Sequence, residues 1–191
     1  MNYQLIFGII SGIFTLVFFA VYLHSILKGE TKPHLYTALL YALMTGLILS
    51  SQITNQAGIG ATYLGITFFF WCIIFLMSFK LGIKNIVFAD KLSLVFALIA
   101  IPVWYFSGNP LLSVILLMIV DLFSSIPTVR KTYVDPYSEN SYVYLIEFVG
   151  IFFSILALTQ IDFINAGYLL YIMLFDLLMF FIVFYRRKIV K

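Results

Sequence analysis

SSIPTVRKTYVDPYSENSYVYLIEFVG, residues 124–150, begins as the end of one apolar helix, meets Pro127, crosses a basic and polar patch, and restarts as a second helix that carries Glu147. Polar, Gly and Pro residues end helical spans, and an acid placed inside the next span has to have a reason for being there. Composition decides the class before either feature is read: of 191 residues 63% are hydrophobic and 10% charged, and mean hydropathy is +1.10. Charged residues make up about a quarter of a soluble domain. The sequence is that of an all-α integral membrane protein. The single Cys72 excludes an internal disulfide and any multi-cysteine metal site. Residues 1–4 hold no basic n-region, and the apolar run from Leu5 to Leu27 outlasts a signal h-region, so it reads as a retained first span.

A helix needs about 20 apolar residues to cross a bilayer. Working outward from the opening stretch, seven runs stand against that length: 4–27, 34–53, 61–80, 90–106, 110–131, 141–160 and 165–186. The fourth is short, from Leu92 to Phe106, and contains Pro102, which suits a linker helix. With seven spans, Lys28, Lys32, Lys80, Lys84, Lys91, Arg130, Lys131, Arg186, Arg187, Lys188 and Lys191 all fall on one side, and the opposite loops have none. Basic residues stay cytosolic, so the N-terminus is expected outside and the C-terminus in the cytosol. An even number of spans would break this segregation.

Seven spans arise readily as three plus one plus three. A shift of 103 residues pairs Lys28 and Pro33 with Lys131 and Pro136. A shift of 104 pairs Gly46 with Gly150, and a shift of 105 pairs Ala61, Tyr63 and Leu64 with Ala166, Tyr168 and Leu169. The drift of one residue per helix is what small loop insertions produce, and repeats that keep their basic ends on the same side are parallel. The expected organisation is a first three-helix bundle over 1–84, a linker helix over 85–109, and a second bundle with a basic tail over 110–191.

IPTVRKTYVDPYSENSYVYLIEFVG resembles the second PQ-loop of the SWEET, cystinosin-like and PQ-loop transporter superfamily, and LIEFVGIFFSILAL is similar to its acid-x-x-glycine stretch, with Glu147 at the acid and Gly150 at the glycine. The likeness is specific over about thirty residues. It implies alternating access for a small polar solute in a multi-pass protein of a bacterial-type inner (plasma) membrane, with Pro127, Gly150 and Gly46 as hinge positions. Two departures stand out: Thr128 replaces the glutamine of the PQ pair, and the first repeat, YLHSILKGETKPH, has no proline at the end of its first span. Independently of any family, Pro127 cannot donate to the carbonyl four residues back, so the end of span five is weakened. The plainer reading is that it merely ends the helix.

Asp121, Glu147 and Asp176 lie inside spans five, six and seven. A charged carboxylate facing lipid costs roughly 2.5–3.5 kcal/mol on insertion scales, and the sequence supplies no intramembrane Lys or Arg to pair with them. They must face a polar interior, be neutral, or both. Asn140, Glu147 and Ser154 recur every seven residues with Gly150 between them, and Asp121, Ser125 and Thr128 make a matching stripe on span five. Asp121, Asp176, Ser154 and Trp71 are the expected solute contacts, and Glu147, with Asp121, the proton-exchanging groups. The first repeat has no equivalent acid: Leu43 and Met44 are apolar, and Trp71 takes the place of Asp176. The plain alternatives are acids acting as protonated interhelix glue and a tryptophan that only packs.

No phosphate loop or Ser-His-Asp order is present, His24 and His34 flank a loop, and span seven lacks a retinal-type lysine. An enzyme is therefore not expected, nor a cofactor, a metal or a nucleic-acid partner. The thirteen Tyr and twenty-one Phe read mostly as lipid-facing or interfacial belt. The expected partners are a small-molecule solute and the lipid bilayer. A homo-oligomer is compatible, although two covalently joined bundles already suffice to close a pathway. The competing class is a seven-helix receptor or sorting protein of the same fold, which binds a peptide or lipid without moving it.

Overall fold

The computed structural model describes residues 3–29, 33, 35–82, 88–107, 109–139 and 141–190. Among these the chain is helical throughout: α1 (Tyr3–Leu27), α2 (Leu35–Thr54), a 3-10 turn (Gly58–Ala61), α3 (Thr62–Leu81), α4 (Phe88–Ser107), α5 (Pro110–Val134), a second 3-10 turn (Pro136–Ser138), α6 (Ser141–Leu156) and α7 (Phe163–Ile189). Helix is the form in which each backbone group finds its partner within its own segment, which a hydrocarbon surround demands. Among the described residues, four helical segments are long and apolar enough to cross a membrane: Tyr3–Leu27, Leu35–Thr54, Gly58–Leu81 and Phe163–Ile189. Pro110–Phe123 and Ser141–Leu156 are shorter apolar stretches.

Local chemistry sets the ends. Pro110 opens α5, where a missing N–H costs nothing, and Asn109 Oδ1 accepts from Leu111 N at 3.0 Å. Asp162 caps α7 by accepting from Asn165 N at 2.9 Å. At the end of α2, Gln56 takes φ 56°, Ala57 N bonds Gln52 O at 2.9 Å and Gln56 N bonds Ile53 O at 3.2 Å, the Schellman closure of a helix.

Two boundaries differ from expectation. Pro127 does not end its helix, because α5 continues to Val134; inside a bundle, neighbours and local adjustment absorb the bond a proline removes. The side chains of Pro127, Thr128, Arg130 and Lys131, like residues Lys32, His34, Lys84, Asn140 and Lys191, lie outside the described residues. The sixth helix stops at Leu156 rather than running to 160, since Thr159 turns its N–H onto the carbonyl of Ala57, 3.0 Å away.

Packing follows a simple rule. α3 packs on both α1 and α2, and α7 on both α5 and α6; among the described residues the backbones of α1 and α2, and those of α5 and α6, do not approach each other. Between these triplets α1 meets α6, α2 meets α5, α2 meets α7 and α3 meets α6. Exchanging α1, α2 and α3 for α5, α6 and α7 leaves this set of contacts unchanged. Burial agrees at two of the paired positions: Tyr63 and Leu64 are 3% and 0% exposed, and so are Tyr168 and Leu169; at Ala61 and Ala166, and at Gly46 and Gly150, only the second member is buried. α4 breaks the symmetry by lying against α5 and α2.

The bundle turns apolar side chains outward, among them Ile9, Ile13, Phe69, Leu76, Leu170 and Leu174, and buries Ser11, Thr15, Thr45, Ser51, Gln52, Asp121 and Asp176. That is the reverse of a water-soluble protein and fits a lipid surround. Gly150 makes the α1–α6 seam possible, because a Cβ there would sit 3.3 Å from Phe14 Cβ and 3.5 Å from Thr15 Oγ1. Gly150→Leu is expected to destabilise the bundle by about 1–3 kcal/mol through overpacking, read as a lower thermal midpoint in detergent. An unchanged midpoint would mean the seam is looser than this. Gly46, which the expected repeat pairs with Gly150, packs differently, under the ring of Phe68 on α3.

The two ends of the bundle differ in chemistry. At one, the α5–α6 connection lies on the end of α7: Arg186 Nε donates to Tyr133 O at 2.8 Å, and Arg187 donates to Glu139 O at 2.6 Å and Pro136 O at 3.1 Å. At the other, the α2–α3 and α6–α7 connections clasp each other. Besides the Thr159–Ala57 bond, Asn55 Nδ2 donates to Asp162 Oδ2 at 2.7 Å, Gln52 Nε2 to Asn165 O at 2.6 Å, Asn165 Nδ2 to Asn55 O at 3.1 Å, and Ser154 Oγ to Gly60 O at 2.8 Å. Gly60 is in contact with the Leu158 backbone, and a Cβ on it would fall 2.7 Å from Leu158 N. No Lys or Arg occurs in this clasp.

Candidate functional site

Beneath the clasp, three helices of one triplet each place an acid in the interior of the bundle. Asp121 of α5 and Asp176 of α7 are each 2% exposed, and Glu147 of α6 is partly buried, accepting from the Tyr63 hydroxyl of α3 at 2.9 Å. Each carboxyl lies within electrostatic range of the others. α7 delivers its acid because its buried face repeats at helical spacing, through Tyr168, Ile172, Asp176, Met179 and Val183.

Tyrosines wall the cluster. Tyr41 of α2 and Tyr171 of α7 turn their hydroxyls toward Asp121, Tyr168 is near Asp121 and Glu147, and Tyr144 lies near Glu147 and Asp176 while donating to Glu139 Oε2 at 3.1 Å. These tyrosines belong to the interior and not to the lipid-facing or interfacial belt expected of most Tyr and Phe. The signal was present in the sequence as helical spacing: Tyr63, Thr67 and Trp71 on α3, and Tyr168 with Asp176 on α7, share faces at i, i+4 and i+8. Trp71 stacks on Tyr41 with ring centroids 4.7 Å apart and meets Phe19 edge-on at 6.1 Å. It therefore reaches the acids only through Tyr41. Ser154 is two turns further along α6, in the clasp with Gly60, and does not join the acids.

Among the described residues, Asp121 Oδ1, Asp176 Oδ2, Tyr171 OH and Thr67 Oγ1 are buried polar atoms that make no hydrogen bond. An unpartnered buried polar group costs roughly 1–3 kcal/mol, so the arrangement is one that a further donor would complete. Among the described residues, Lys and Arg in helices fall within about a turn of a helix end, as Lys80, Lys91 and Arg186 do. No three of the described His, Cys, Asp and Glu residues are grouped to hold a metal ion.

The chain matches no protein-family model, no curated protein and no solved structure. What stands firm is the class: an all-helical protein with several helices suited to a membrane and an acid-and-tyrosine interior.

Proposed function

We propose that the chain is a carrier of a small polar solute, built from seven spans as 3+1+3 with the clasp outside and the basic end in the cytosol, and working by alternating access as in the SWEET and PQ-loop superfamily it resembles. The observation that carries this reading is the convergence of Asp121, Glu147 and Asp176, from three helices, on an interior with unsatisfied polar atoms. Groups that serve only as interhelix glue satisfy one another; these leave acceptors open. The interchangeable packing of the two triplets gives rocking elements of the kind such a carrier needs. The clasp closes the pathway at one end by hydrogen bonds between connections rather than by packed helix, so it opens without unfolding a span. Glu147, accepting from Tyr63, is the proton-exchanging group, and Gly150 and Pro127 are the hinge positions.

Counterflow tests the reading. In proteoliposomes preloaded with an unlabelled mixture of sugars, amino acids and amines, a carrier transiently accumulates at least one of the labelled members; a receptor binds its ligand and moves none. Binding without counterflow across that panel would contradict the carrier.

A further inference from the structure

We propose that the solute is a small organic cation with N–H donors, an aliphatic amine or diamine, held between Asp121 and Asp176 with Thr67 and Tyr171 beside it. This rests on the reading of that interior as the solute site. Two independent features point to such a ligand. The first is the open acceptors: Asp121 Oδ1 and Asp176 Oδ2 belong to side chains 2% exposed, and among the described residues neither oxygen makes a hydrogen bond, although the Tyr41 and Tyr171 hydroxyls face the Asp121 carboxyl. An ionised carboxylate only accepts, so an open oxygen has room for a donor from a ligand.

The second is Thr67. Several helical hydroxyls return to the carbonyl four residues back: Thr15 to Ser11, Thr45 to Tyr41, Ser50 to Gly46, Ser51 to Leu47 and Thr54 to Ser50; Thr67 shares the lack of such a bond with Ser11 and Ser113, but lies on the face that carries Tyr63. Thr67 is 4% exposed and makes no such bond. It lies one turn from Tyr63, which holds Glu147, and one turn from Trp71, which stacks on Tyr41. A buried threonine that forgoes its local bond on that face is available to a ligand.

Charge decides the ligand's sign. Three carboxyls within range of one another, with no basic side chain among the described residues away from the helix ends, disfavour an anion and leave a neutral solute to offset nothing. An ammonium group supplies both positive charge and N–H donors, and tyrosine rings attract it further. A lone metal ion does not fit, because the acids are not grouped to chelate.

The probe is 1,4-diaminobutane, with n-butylamine and the neutral isostere 1,4-butanediol for comparison, titrated into the full-length protein in detergent by calorimetry. The diamine is expected to bind at least about ten-fold more tightly than the diol, the difference of one charge-assisted hydrogen bond. Asp176→Asn and the isosteric Thr67→Val are expected to weaken it while the unliganded proteins keep a cooperative melt; Thr67→Val serves alone if Asp176→Asn does not fold. Equal binding of diol and diamine, or binding of neither amine, would overturn the proposal. The carrier reading fails separately: an amine that binds with these preferences but shows no counterflow supports the cation site and removes transport, whereas counterflow of a neutral solute without amine binding removes the cation site and leaves the carrier.

Discussion

Glu147→Gln is expected to abolish pH-gradient-driven uptake while solute exchange at equal pH stays within about ten-fold of the unmodified protein, a change of 1.4 kcal/mol or less. The substitution changes no shape, and the amide oxygen still accepts from the Tyr63 hydroxyl, now 2.9 Å from Glu147 Oε1. What it removes is the proton. A gradient drives uptake only if one group is protonated on one side and deprotonated on the other, so that the proton's free energy biases the conformational cycle. Exchange needs no such bias. Reconstituted protein with an imposed pH step reads both quantities in the same vesicles. Undiminished driven uptake in Glu147→Gln would discard Glu147 as the coupling group and leave Asp121 or Asp176 to be tested in its place. Loss of both quantities together would instead assign Glu147 to holding the interior together.

How much of this was legible in the sequence varies from residue to residue. The all-helical membrane class followed from composition, and the places where helices begin and end were read to within a few residues from Gly, Pro and polar clusters. The seventh helix, expected from 165, starts at Phe163, and the second, expected from 34, starts at Leu35. The failures have physical causes. Span five was expected to run past Pro127 to 131, with ending the helix there as the plainer alternative; the helix runs through it to Val134, so the alternative fails. The end of α6 was misplaced because Ala157 and Leu158 are apolar; they are buried against the opposite connection, not in a span, and that is a tertiary fact no local pattern holds. The three acids were found because a carboxyl in an apolar run is conspicuous. Their tyrosine neighbours were missed because tyrosine is common at membrane interfaces as well as inside, and only its phase relative to Asp176 and Trp71 separates the two. Ser154 shows the opposite error: it shares the heptad phase of Glu147, but two turns of rise carry it from the acids to the clasp.

The clasp is the part of the account with the most to lose. If the interior is reached alternately from two sides, the contact between the α2–α3 and α6–α7 connections must break once in every cycle. Asn55 and Asp162 lie at its exposed rim, joined side chain to side chain at 2.7 Å, so cysteines placed there are within reach of a short thiol cross-linker. Cys72, the chain's one native cysteine, is replaced by serine first. In the Asn55→Cys, Asp162→Cys protein, counterflow is the deciding measurement: cross-linking is expected to stop it, and reduction to restore it, while each single-cysteine protein is unaffected by the reagent. Full counterflow through the cross-linked protein would show that the solute passes without the clasp opening, and would contradict the account.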